Sequence, residues 1–117
     1  MKRLLVSAVL LWSGVAGPAQ ARTPQQTAKL AITWAFCGHR YSRCEAGEQA
    51  KRVSWCESRW NIWARNGEYL GLFQMGSRER RRYGHGNNAW AQSAAAHRYW
   101  LAVRRRWTPT WTCGWAA

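Results

Sequence analysis

The chain contains no aspartate, so any carboxylate chemistry rests on five glutamates: Glu45, Glu48, Glu57, Glu68 and Glu79. After the first fifteen residues no apolar run approaches the roughly 20 residues that a membrane-spanning helix needs. There is no internal repeat and no low-complexity linker, which leaves nowhere to divide the chain into domains. Cysteines number only four, Cys37, Cys44, Cys56 and Cys113, and their spacings match no usual zinc-finger pattern. No base-reading motif accompanies the scattered arginines, which argues against a nucleic-acid reader.

What is present begins with an export signal. Met1-Lys2-Arg3 supplies positive charge, Leu4 to Val15 an apolar core, and Ala19-Gln20-Ala21 a small-x-small cleavage site. Residues 1–21 are therefore expected to be a secretory leader, and residues 22–117 one small domain, secreted or held in the cell wall. A domain of that size buries a limited core and often adds disulfides in an oxidising compartment. Four cysteines allow three pairings. Cys37 with Cys44 closes a short loop and leaves Cys56 for Cys113; two disulfides are favoured over zinc, and no metal or cofactor is expected. The formal charge of +13 becomes +11 once Lys2 and Arg3 leave with the leader. Such a surface suits a polyanion: nucleic acid, anionic lipid or wall polymer.

The chain reads as α+β, mostly α. Thr23-Pro24 signals a helix start, and residues 24–36 place Ala28, Ala31, Ile32 and Ala35 on one side. Residues 45–60 form a second helix. At about 100° per residue, Ala46, Ala50, Val53 and Trp60 share a face, with Glu57 in its middle and Lys51, Arg52 and Arg59 well off it. A carboxyl in an apolar stripe loses solvation and holds its proton more tightly, as a general acid must. A buried ion pair with an arginine, or a rim position in water, are the competing readings for Glu57.

Residues 62–65 and 68–70 read as a short hairpin turning at Asn66-Gly67. Ser77 is expected to cap a short helix through Arg82, and Asn88 a helix from 89 to about 106. Trp90, Ala94, His97 and Leu101 line one side of the latter. His97 is there read as a packing residue.

Glu57-Ser58-x-x-Asn61, followed by Gly71-Leu72-Phe73-Gln74-Met75, resembles the two signature segments of lytic transglycosylases of the lysozyme-like superfamily. The chain is most similar to resuscitation-promoting-factor-like domains, over about residues 49–113, with Cys56 and Cys113 where that family places its bridge. The resemblance implies a lysozyme-like small domain with a short β-hairpin beside the active-site cleft. It implies cleavage of the MurNAc-β-1,4-GlcNAc bond, with Glu57 catalytic and peptidoglycan glycan strands as the partner. Gln74 is expected to hydrogen-bond an N-acetyl group or orient Glu57, and Tyr69, Phe73, Trp60 and Trp63 to stack on sugar rings. Ser58 and Asn61 are expected to fix local geometry. The Ala-Tyr-Asn segment of the larger transglycosylases has no true counterpart at Ala96-His97-Arg98-Tyr99, so Tyr99 receives no carried-over role.

A two-carboxylate hydrolase needs a second acid nearby. Glu45 and Glu48 start the helix that carries Glu57, roughly 14–18 Å away at the helical rise, and Glu68 reads as an exposed strand residue. One acid suits a transglycosylase. Plain muramidase hydrolysis, a non-catalytic wall-binding module and a cationic antimicrobial or nucleic-acid binder are the alternatives. The expected protein is a monomer with no stable membrane insertion, no nucleic-acid partner, and anionic wall polymers as further ligands.

Overall fold

The computed structural model describes Gly14 and residues 21–117. The expected leader otherwise lies outside the described residues. Four helices, α1 (Pro24–Phe36), α2 (Glu45–Ser58), α3 (Ser77–Tyr83) and α4 (Ala89–Ala102), accompany a mostly exposed two-stranded antiparallel hairpin, β1 (Arg65–Asn66) and β2 (Tyr69–Leu70), between α2 and α3 in the chain. A short 3-10 turn, Gly114–Ala116, closes the chain. Among the described residues no helix is long and apolar enough to cross a membrane.

Helix α1 has the bounds its caps dictate. The Thr23 hydroxyl accepts the Gln26 amide at 3.1 Å while Gln26 accepts the Thr23 amide at 2.8 Å, a reciprocal capping box. Its expected inner face is buried in full, with Ala28, Ala31 and Ile32 at 0% exposure and Ala35 at 2%. Helix α4 packs on α1, where Trp90 meets Trp34 and His97 and Trp100 meet Phe36, and it buries Ala89, Ser93, Ala95 and Ala96. This corrects the expected face of α4: Leu101 is 44% exposed, and Trp90, Ala94 and His97 are half-buried. Small side chains on both helices allow the close approach, so the buried face of α4 is mostly alanine and serine. His97 packs on the aromatic core beside Phe36 and Trp100.

Helix α4 also stops earlier than expected, because Arg104 and Arg105 both take left-handed backbone conformations after Val103. That turn sends Trp107 and Trp111 back into the core, where they join Phe36, Phe73 and Trp100 in one aromatic cluster. Both bridges form as the pairing argument has it, Cys37–Cys44 and Cys56–Cys113. The second spans 57 residues and contributes roughly 4 kcal/mol by restricting the unfolded chain.

The hairpin is shorter than expected, residues 62–64 lying outside it, and its turn is shifted by one residue. Asn66 pairs with Tyr69, which makes Gly67-Glu68 the two-residue loop. Gly67 has φ +60°, and a glycine in the left-handed region at the first loop position matches the right-handed strand twist. Helix α3 is not capped by Ser77; Gly76 is its N-cap, and the Ser77 hydroxyl instead donates to Glu68 Oε2 at 2.9 Å.

The segment after β2 is fastened by buried polar groups. The Ser54 and Ser58 hydroxyls each lie 2.8 Å from the Leu72 carbonyl oxygen, using both of its lone pairs. Gln92, 2% exposed, accepts the Leu72 amide at 2.9 Å and donates to Ile62 O at 3.1 Å and Gly86 O at 2.9 Å. Gly71 makes room for it, since a Cβ there would collide with the Gln92 carboxamide. Gln92→Leu leaves one buried donor and two acceptors unpaired and is expected to destabilise the fold by about 2–4 kcal/mol. Denaturant unfolding measures this; a loss below about 1 kcal/mol would mean the amide is no fastener.

Candidate functional site

Glu57 lies in the last turn of α2, half-buried, on the edge of the stripe formed by Gly47, Ala50, Val53, Ser54 and Ser58. Trp60 is not part of that stripe. The helix ends at Ser58, and Arg59 and Trp60 turn away through left-handed conformations, φ 55° and 57°. The Glu57 carboxylate accepts one hydrogen bond, from the Cys113 backbone N–H at 2.9 Å. That donor is delivered by the Cys56–Cys113 bridge, one residue before Glu57.

Among the described residues no lysine or arginine comes within salt-bridge reach of Glu57; the ion pairs found there both belong to Glu48. Arg59, the nearest cation in sequence, donates to the Trp55 carbonyl at 3.2 Å and stacks over the Trp55 ring, 5.1 Å from its centroid. Burial therefore raises the Glu57 pKa above the ordinary carboxyl value, and the Cys113 amide lowers it by less. Its place at a helix C-terminus, the negative end of the dipole, acts in the same upward sense.

Glu57 opens onto a cleft of about 720 Å³ between the end of α2, the hairpin, the start of α3 and the Thr110–Thr112 segment. Of the residues expected to bind sugar, Tyr69 and Gln74 line it. Tyr69 is 47% exposed and free to meet a ring. Gln74 commits its amide nitrogen to Ala64 O and Gly71 O, both at 3.0 Å, and so braces the hairpin; only its carbonyl oxygen remains to face a ligand. It makes no hydrogen bond to Glu57.

The other three lie elsewhere. Phe73 is 1% exposed in the core, because Leu72 O is pinned to α2 and Phe73 O accepts the Trp111 indole N–H at 3.0 Å. Trp63 is 67% exposed and lines no cleft, its amide held by Asn61 Oδ1 at 2.9 Å. Trp60 faces a separate groove on the far side of Arg59.

Three cleft residues carry no signal in the sequence. Glu68 and Glu79 both reach it, and they converge over Gly76, where a side-chain carbon would sit 2.7 Å from Glu79 Oε2 and 3.4 Å from Glu68 Oε1. Tyr99 stacks between Tyr83 and Trp111, at centroid distances of 5.1 and 4.9 Å. Burial, and next the Glu79 charge, raises its pKa, so its phenol stays a hydrogen-bond donor. Only the closure of the hairpin over α3 brings these groups together; no local pattern announces it.

The cleft thus holds the Glu57 carboxyl, whose pKa burial raises, with the carboxyls of Glu68 and Glu79, the Tyr99 phenol and three arginines, Arg59, Arg65 and Arg78. That set can protonate a leaving oxygen and orient an uncharged polar substrate. Among the described residues no cluster of His, Cys, Asp or Glu is disposed to hold a metal ion. No family model, curated protein or solved structure matches the chain.

The raised pKa has a thermodynamic consequence. The folded state holds the Glu57 proton more tightly than the unfolded chain does. The stability this lends is complete below the unfolded value, about 4.3, and is lost as pH rises through the folded value. Glu57→Gln keeps an oxygen for the Cys113 amide and lacks the titration. In urea unfolding from pH 4 to 8, the variant should gain stability relative to the wild type as pH rises. A relative gain by the wild type would mean that the carboxylate is stabilised in its charged form.

Proposed function

We propose that the protein is an exported, peptidoglycan-degrading enzyme of lysozyme-like fold that cleaves the MurNAc-β-1,4-GlcNAc bond as a lytic transglycosylase. The observation that carries this reading is the Glu57 carboxyl: half-buried, with no lysine or arginine among the described residues in salt-bridge reach, held by one backbone amide, and facing an open cleft. The mostly helical architecture with a short hairpin beside the cleft supports it. So do the two disulfides, which suit an oxidising compartment.

In this mechanism the strand lies along the cleft with the scissile oxygen against Glu57, which donates its proton as the C–O bond breaks. The oxocarbenium-like centre is relieved by the substrate's own acetamido group, so this route asks no catalytic role of Glu68 or Glu79. Glu57, now charged, takes the proton of the muramic C6 hydroxyl as that oxygen closes on C1. The product is a 1,6-anhydro end, and the acid is restored. Tyr69 supplies a ring face to a sugar, while the Gln74 carbonyl and Tyr99 phenol supply hydrogen bonds to N-acetyl groups.

A second reading, hydrolysis, draws support from Glu68 and Glu79 at the opposite wall. Either carboxylate is able to activate a water, as an inverting glycosidase requires. Mass spectrometry of fragments released from purified peptidoglycan separates the two. The transglycosylase reading predicts fragments lighter by one water than ordinary reducing ends, with Glu68→Gln and Glu79→Gln still forming them. Reducing ends that vanish in either variant would favour hydrolysis.

Glu57→Gln is expected to lower release by at least about 10²-fold while the protein stays folded, since a positioned general acid contributes 10²–10⁴-fold. Undiminished release by a folded Glu57→Gln protein would overturn both enzymatic readings.

A further inference from the structure

On the other side of Arg59 from the Glu57 cleft lies a second groove of about 750 Å³, between α1, the outer face of α2 and the C-terminal turn. Its walls are tryptophans: Trp55 is 44% exposed, Trp115 is 74% exposed, and Trp60 leans on Trp55 with ring centroids 4.7 Å apart. Around them stand Lys29, Lys51, Arg52 and Arg59 against a single carboxylate, Glu48. Glu48 is already engaged by Lys51 at 2.6 Å and by Arg43 at 3.2 Å, so Lys29, Arg52 and Arg59 carry uncompensated charge.

The groove is built rather than incidental. Trp60 reaches it only through a left-handed backbone, a conformation bulky residues rarely adopt, and its indole N–H is then fixed to Lys51 O at 3.0 Å. The Lys29 ammonium sits 5.2 Å from the Trp60 ring centroid, as the Arg59 guanidinium does over Trp55, so the cations rest on aromatic faces at the groove's edge. The Arg52 guanidinium donates to Ala116 O at 3.0 Å, and the Cys56–Cys113 bridge lies beneath. Both hold the turn that presents Trp115.

We propose that this groove is a second binding site, separate from the cleavage site, that takes an acidic saccharide. The apolar face of a sugar ring covers the exposed indoles of Trp115 and Trp55, and the sugar's carboxylate meets Lys29, Arg52 and Arg59. The two halves of the ligand answer the two halves of the groove: aromatic surface to bury, and cationic excess to neutralise. The choice of an amino-sugar acid rests on the peptidoglycan reading. Arg59 borders both cavities, so a strand engaged in the groove would be held next to the cleft.

The test is an NMR titration of the Glu57→Gln protein, following indole N–H resonances, with the GlcNAc-MurNAc disaccharide bearing a free lactyl carboxylate. N,N′-diacetylchitobiose, the neutral counterpart, and phosphatidylglycerol vesicles are parallel arms. The acidic disaccharide should shift the Trp115 and Trp55 indoles and bind several-fold more tightly than the neutral one. Trp115→Ala should weaken it about tenfold, the loss of one stacked aromatic face. Lys29→Gln, an exposed change that removes one cation from the groove's edge and from the Trp60 face, should reduce the preference for the acid by up to about fivefold.

Silent Trp115 and Trp55 resonances, equal affinity for the two disaccharides, or shifts produced by vesicles alone would each overturn the proposal. Cleavage that persists without Glu57 would sink the function reading but leave these shifts in place, so the two failures are distinguishable.

Discussion

A single hydrogen bond, from the Cys113 backbone amide to Glu57, sits where the segment before the 3-10 turn meets the end of α2. In a chain with eighteen basic and five acidic side chains, electrostatics alone would put a cation against every carboxylate. Glu48 follows that rule, and the Lys51 and Arg43 donors beside it hold its pKa below the usual value. Among the described residues Glu45, Glu57, Glu68 and Glu79 have no cation within salt-bridge reach, and at Glu57 burial raises the pKa. The neighbours of Glu57 are a bridge, two serines committed to Leu72 O, and a chain end that offers one N–H and no charge. The arginines that line the cleft, Arg59, Arg65 and Arg78, all stay beyond salt-bridge reach of Glu57, and Arg59 stacks on Trp55 instead.

The rest of the structure fixes the surroundings of Glu57. Small residues let α1 and α4 close tightly, which returns Trp107 and Trp111 to the core and carries Cys113 to α2. Gln92, Ser54 and Ser58 fix the Gly71–Phe73 segment from two sides, and Gln74 fixes the hairpin to it. The wall opposite Glu57 is therefore as rigid as the helix that carries it, as a site that must align a leaving oxygen requires. Arg80 adds a brace from α3, donating to the carbonyls of Glu68 and Met75.

Much of this is legible in the chain, and the misses have physical reasons. Thr23-Pro24 and the alanine stripe specify α1 because caps and periodicity are local. Two cysteines seven apart leave one sensible partner for the others. The inner face of α4 is misjudged because hydropathy favours Leu101 and Trp90, whereas close packing favours Ala95, Ala96 and Ser93. Gln74 reads as a substrate ligand or an orienter of Glu57 and Gln92 draws no reading, since nothing in sequence reveals which backbone groups will need partners. Trp60 fits the helical wheel, but the helix stops two residues before it and the chain reverses hand. Glu68 and Glu79 read as peripheral because their approach to the cleft depends on the hairpin folding over α3, a contact with no local signature.

If the enzymatic reading holds, Glu57 must face the bond to be cut. A crystal structure of the Glu57→Gln protein with an alternating GlcNAc-MurNAc tetrasaccharide puts that requirement to the test. The expected result is a glycan in the cleft with a glycosidic oxygen about 3 Å from the substituted side-chain amide at position 57, within hydrogen-bond reach. A tetrasaccharide seated with no glycosidic oxygen near that position, or found only along the Trp55–Trp115 groove, would contradict it.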